Sequence, residues 1–117
     1  MIVVGDFNSS PADTEIFGIV PPYRQFIDAR YTDAWIVDDD DDDDGDQGLG
    51  FTCCQLADLS NQESALDQRI DLIFARNPHL EFEDVTVLGV TASETPTPPG
   101  LGVWPSDHAS VAAELEF

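Results

Sequence analysis

The chain contains no lysine. Four arginines stand against 24 aspartates and glutamates over 117 residues, a formal net charge of −20. Eight of those acids fall in one segment, Asp38 to Asp44 plus Asp46; −20 + 8 still leaves −12, so acidity belongs to the whole chain. Such a surface repels nucleic-acid phosphates at long range and disfavours non-specific DNA binding. It suits a high-salt habitat, where counterions screen the self-repulsion. Cysteine is equally scarce: Cys53 and Cys54 are the only two, and they are adjacent. Neighbours on a strand point to opposite faces, so a bridge between them is not expected. With no histidine clustered beside them in sequence, a zinc site is not expected either. No run approaches the ~20 apolar residues of a membrane span. No basic segment precedes the first apolar run, so no signal peptide is expected.

What remains is enough for one small domain. At 42% hydrophobic and 9% aromatic the composition is that of a globular protein, and a chain this long can bury a core. Residues 1–4, Met-Ile-Val-Val, read as a strand buried on both faces. Pro11 is placed to open a short helix over residues 11–18, capped by Ser10 and ended by Pro21 and Pro22. Residues 23–29 read as a second helical turn. Residues 38–50 are a low-complexity acidic loop, expected to be exposed because adjacent carboxylates repel one another. Residues 50–55, 69–75, 81–90 and 109–117 read as strands, the last with Val111, Ala113, Leu115 and Phe117 facing inward. Residues 56–67 are polar and irregular, and 91–105 form a Pro-rich loop.

Several polar residues sit at the expected strand ends. Asp6 and Asn8 stand one residue apart on a loop and can point into one cleft, although Gly5-Asp6-Phe7-Asn8 also has the composition of a simple turn. Asp71 lies within an apolar strand, where an unpaired carboxylate costs several kcal/mol. It therefore needs a partner, and Arg69 is a candidate on the same strand. Asp107 and His108 follow a Trp-Pro-Ser loop; a carboxylate beside a histidine favours the imidazolium and suits acid work near neutral pH. A local Ser106-Asp107 turn with a half-buried histidine is the plainer alternative. Asp40, Asp42, Asp44 and Gly45 match the start of a calcium-binding EF-hand loop, but its twelfth position is Phe51 rather than Glu.

Three stretches in order, GDFN (5–8), QRIDLIF (68–74) and WPSDHASV (104–111), make a pattern together. The chain resembles the endonuclease/exonuclease/phosphatase superfamily, specifically the C-terminal half of its pattern. The resemblance implies an α+β, mostly β architecture: half of a four-layer α/β/β/α sandwich of the deoxyribonuclease-I-like kind, with about five strands and short helices. Residues 1–117 would form that half, with the acidic loop at 38–50. It implies a divalent-metal-dependent phosphoesterase using Mg²⁺, or Mn²⁺ or Ca²⁺, on a phosphate-ester substrate, nucleic acid being the class that net charge disfavours. Asp6 would orient or deprotonate the attacking water and Asn8 would bond the phosphate or the water. His108 would stabilise the pentacoordinate phosphorus or donate a proton, with Asp71 as its orienting partner. Asp107 and Asp6 would lie at the metal. The middle stretches TDAW (32–35) and GFTCC (50–54) echo the same family, Trp35 as core. The family's first half carries a Glu metal ligand that nothing in this sequence matches. The resemblance thus implies a partial domain, with a missing N-terminal half or self-association as the expected partner. The competing expectation is a non-catalytic acidic module that binds cations or a partner.

Overall fold

The computed structural model describes residues 1–38, 49–77, 80–90 and 103–116. Most of the expected acidic loop, and residues 91–102 of the Pro-rich one, lie outside them. β1 (Ile2–Asp6), β3 (Asp71–Ala75) and β2 (Thr32–Asp33) form one antiparallel sheet in the order β1-β3-β2. β4 (Glu81–Leu88) and β5 (Ser110–Glu116) form a second antiparallel sheet. Two short helices, α1 (Pro22–Asp28) and α2 (Ala34–Asp38), complete the described elements. The architecture is mostly β.

β3 is the element around which the rest packs. Its residues alternate between two cores, as the period of two in a strand requires. Leu72 and Phe74 join Tyr23 on one side, with Val3, Phe7, Phe26, Ile27 and Tyr31 around them. Phe74 is fully buried and its ring stacks on Phe26, centroids 4.8 Å apart, while Phe7 meets it edge-on at 5.3 Å. Ile73 and Ala75 face the other way, into a core made with Ala34, Phe82 and Val85. Val111, Ala113 and Leu115 of β5 pack against that second core, as their alternation predicts.

Local expectations failed in four places. β1 is not buried on both faces: Val3 packs against the α1 core, but Ile2 is 40% and Val4 64% exposed. Among the described residues β1 is an edge strand, and the β4–β5 sheet covers β3 without covering β1's outer face. No helix forms over residues 11–18. Ser10 does accept the Ala12 N–H and Asp13 accepts that of Ser10, but the turn does not propagate. Phe17 and Gly18 take positive φ, and the chain doubles back through an Ile16–Ile19 bridge. Pro21 and Pro22 start a helix rather than end one. Pro22 occupies the first turn of α1, where a missing N–H costs nothing, and the buried Ser9 hydroxyl accepts the Tyr23 N–H in place of an adjacent cap. Residues 50–55 carry only isolated bridges at Cys53, to Gln68 and His108, rather than a strand. Without a regular pleat the two cysteines are not held on opposite faces, and their sulfurs are joined.

A buried ion pair ties the layers together. Arg69 donates from both ends of its fork to Asp33, at 3.0 and 2.8 Å. The Tyr23 hydroxyl donates to the same carboxylate at 2.9 Å, and so does the Trp35 N–H at 3.1 Å. Burial first, and then the Asp33 charge, push the Tyr23 phenol up to about 12. Arg69 is thereby committed to Asp33.

Candidate functional site

The sheet register brings the first two carboxylates together. Asp6 ends β1 and Asp71 begins β3, and the two are direct cross-strand partners. Beyond them the chain still pairs, since the Phe7 N–H donates to the Ile70 carbonyl at 2.9 Å. The loop that follows β1 is fixed by its own polar groups. Asp6 accepts the Asn8 N–H at 2.8 Å and the Asn8 side-chain amide at 3.3 Å. Asn8 sits at φ +46°, a left-handed conformation that asparagine tolerates better than most residues. Asn8 thus supports the Asp6 carboxylate directly.

His108 reaches the same end from the other side of the fold. The segment 52–55 holds it: Ala109 N–H donates to the Thr52 carbonyl and Gln55 N–H to the Asp107 carbonyl, both at 2.8 Å. The Ser106 hydroxyl accepts the His108 N–H at 3.1 Å, so the local turn and the longer-range placement coexist. Trp104 anchors the start of this loop; it is buried and its indole N–H donates to the Asn61 carbonyl at 2.7 Å. With the backbone so placed, His108 Nδ1 lies 2.8 Å from Asp71 Oδ2. That settles the partner of Asp71 as His108. Hydrogen bonding to Asp71 raises the His108 pKa above its ordinary value against a smaller opposing effect of desolvation, with the charges of Asp71, Asp107 and Asp6 adding to it.

Ligating atoms of Asp6, Asp71 and His108 all lie within 4.8 Å of one another. Asp107 is exposed and belongs to neither three-ligand group found among the described residues; its carboxylate receives the Ser106 hydroxyl at 3.4 Å. Alongside the cluster runs a groove of about 430 Å³, lined by Val4, Gly5, Asp71, His108, Ser110 and Val111 among others. The ordinary donor set for a hard divalent cation is oxygen, with one or two carboxylates and retained waters. The Asp6 and Asp71 oxygens fit that description.

Two contributors were not legible in the sequence. Thr52, fully buried, accepts the N–H groups of Asp71 and Ile70 at 3.0 and 3.3 Å, and so fixes the start of β3. It is a buried bracket and is not among the residues that line the groove. The second is the cysteine pair. Cys53, Cys54 and His108 have ligating atoms within 4.8 Å of one another, so a histidine does cluster with them after all. It is 54 residues away from Cys54 in sequence, which is why no local spacing announced it.

No curated protein and no solved structure matches the chain. The family model described as the endonuclease/exonuclease/phosphatase family matches residues 1–108, and the chain, with its paired Asp6 and Asp71 and its Asp71-bound His108, belongs to that family.

Proposed function

We propose that residues 1–117 are the C-terminal half of a divalent-metal-dependent phosphoesterase domain, one half of a deoxyribonuclease-I-like α/β/β/α sandwich. Membership in the family implies metal-dependent phosphoesterase chemistry of the nuclease-like kind. The observation that carries the reading to residues is the convergence of Asp6, Asp71 and His108 at one sheet end. Support for the half-domain comes from the uncovered outer face of β1, with Ile2 and Val4 exposed where a second sheet would pack.

In this reading Asp6 takes a proton from the attacking water, whose oxygen forms the new bond to phosphorus as the ester P–O bond opposite it breaks and the departing oxygen takes a proton from solvent. Asn8 steadies the Asp6 carboxylate and can turn its amide to the phosphate. His108, held as an imidazolium through Nδ1 by Asp71, presents Nε2 to a phosphoryl oxygen and offsets the charge that develops there. Mg²⁺, Mn²⁺ or Ca²⁺ held by Asp6 and the free oxygen of Asp71, with Asp107 adding charge nearby, would supply Lewis-acid stabilisation of the phosphoryl oxygens. The substrate is a phosphate ester; the −20 net charge weighs against long duplex nucleic acid.

The test is a phosphodiesterase assay with Mg²⁺ on nucleic acid, phospholipid headgroup and inositol phosphate substrates, using the chain joined to a complementary N-terminal half. Activity should disappear on chelation, and His108→Ala should cut turnover by about 10²–10⁴-fold while leaving the fold intact. Turnover per folded molecule unchanged by His108→Ala would overturn the assignment.

A further inference from the structure

We propose that Cys53, Cys54 and His108, in the reduced chain, form a thiolate–imidazole site for one borderline-soft divalent cation, with zinc as the first-row ion that fits. The ligand chemistry separates this site from the one above. Sulfur and imidazole select zinc, while the carboxylate oxygens of Asp6 and Asp71 select hard ions. The two sets share a single residue, His108, and use opposite nitrogens of its ring.

The separation of Cys54 from His108 is close to what such a site needs. His108 Nε2 lies 3.9 Å from Cys54 Sγ. Tetrahedral zinc, with Zn–S about 2.3 Å and Zn–N about 2.0–2.1 Å, separates those two atoms by about 3.6 Å. A shift of a few tenths of an ångström therefore brings this pair to ligation distance, and the two sulfurs, joined in the structure, part on reduction to the roughly 3.8 Å that a tetrahedral ion sets between them. The ring is already oriented for it. Nδ1 is bonded to the Asp71 carboxylate, the outer partner that metal-bound histidines ordinarily have, so Nε2 is the nitrogen that gives up its proton and turns its lone pair to the ion.

The backbone holds the sulfur ligands opposite the histidine before any ion arrives. The Ala109–Thr52 and Gln55–Asp107 hydrogen bonds bracket Cys53 and Cys54 on one side. The Gln68 carbonyl, accepting from Thr52 and Cys53, and the Cys53 carbonyl, accepting from Gln68 and Asp67, bracket them on the other. Cys53 is buried and Cys54 exposed, so an ion has a path from solvent and a fourth position for water. In the structure the two sulfurs are joined to each other, the form in which neither is a thiolate ligand. Reduction with a phosphine yields two thiols and the phosphine oxide, water supplying its oxygen and the thiol protons. Both thiols release their protons as the ion binds. Resting on the phosphoesterase reading, one consequence follows: zinc at Nε2 occupies the nitrogen that faces the phosphate, so it inhibits.

The experiment reads binding rather than turnover, so it stands whether or not the phosphoesterase reading does. The full chain, reduced with phosphine and freed of metal, is titrated with cobalt(II) and then with zinc. A sulfur-to-cobalt charge-transfer band should appear, saturate at a single ion per chain and vanish as zinc displaces cobalt. It should be absent from the unreduced protein. Cys54→Ser, at an exposed position, should remove most of the band, and His108→Ala should weaken zinc binding at least ~10-fold. Asp71→Asn should weaken it about 10–100-fold. No charge-transfer band in the reduced chain, or zinc affinity unchanged by Cys54→Ser or by His108→Ala, would overturn the site.

Discussion

Asp33→Ala removes the acceptor on which four donors converge. Both arms of the Arg69 fork, the Tyr23 hydroxyl and the Trp35 N–H all end on this carboxylate. The Arg69 side chain is 9% exposed and that of Asp33 2%, so water cannot replace the lost partner. Leaving a buried guanidinium unpaired costs about 3–5 kcal/mol. The loss of the Tyr23 and Trp35 bonds belongs to the same network and does not add in full. Against a total stability of about 5–15 kcal/mol the effect is large. With a urea m value near the middle of the usual range of about 1–3 kcal/mol/M, the midpoint should fall by about 2 M. Asp33→Ala combined with Arg69→Met should regain much of the loss, because a packed apolar pair replaces a buried ion pair at little cost. The Tyr23 phenol, now at about 12, should titrate lower in Asp33→Ala but stay above 10.0, since burial is the larger cause of its shift. A loss under 1 kcal/mol, or a double variant no more stable than the single, would refute the network as the tie between the layers.

Three further outcomes follow from particular geometries. Gly50 sits at φ +64°, where an added Cβ would lie 2.5 Å from Trp35 Cε2 and 2.9 Å from Arg69 Cδ. Gly50→Ala should therefore cost about 2–4 kcal/mol in a denaturation experiment, from the left-handed backbone and the overpacking together; an unchanged midpoint would contradict the packing of Trp35 over Gly50. The raised His108 pKa stabilises the fold fully below its unfolded value of about 6.5, and that contribution disappears as pH rises through the folded pKa. NMR titration should show the ring above its ordinary value and Asp71→Asn lowering it; a ring titrating at or below the ordinary value would refute the Asp71 bond. With a net charge of −20, sodium chloride should raise the thermal midpoint by screening self-repulsion, and a midpoint independent of salt would show that repulsion does not limit stability.

The parts of the fold that were legible in the sequence are those where one physical signal dominates. β3 is a continuous apolar run and β5 alternates, and both formed where the pattern placed them. That Asp71 has a partner was reachable because a carboxylate inside an apolar strand requires one, while the choice of His108 over Arg69 rested on the family resemblance. The failures share another cause. The Ser10-Pro11 signal predicted a helix start, but the residues after it lack the continuous apolar face that tertiary packing needs to sustain a short helix. The Pro21-Pro22 pair marks either a helix end or a helix start, and only the remote hydroxyl of Ser9 shows which. The exposure of Ile2 and Val4 depends on which layer covers the sheet, a property of the assembly and not of the strand. Thr52 and the Asp33–Arg69 pair act across 18 or more residues, beyond any local pattern.

The tightness of the cluster bears on what it can do. Displacement at phosphorus places the attacking and leaving oxygens roughly in line, on opposite sides of the atom. Groups serving both must then stand apart, with the phosphoryl between them. The ligating atoms of Asp6, Asp71 and His108 lie within 4.8 Å of one another, too close to flank a phosphoryl group from both sides. They can serve the attacking water and the equatorial oxygens next to it. The departing oxygen needs its charge offset from the other side, and among the described residues no second acidic or imidazole cluster faces this one across the groove. A site so one-sided is what a half-domain would contribute. The exposed Ile2 and Val4 face of β1 borders the same groove through Val4, so a second sheet packing there would bring its own side chains to the open side of the phosphate.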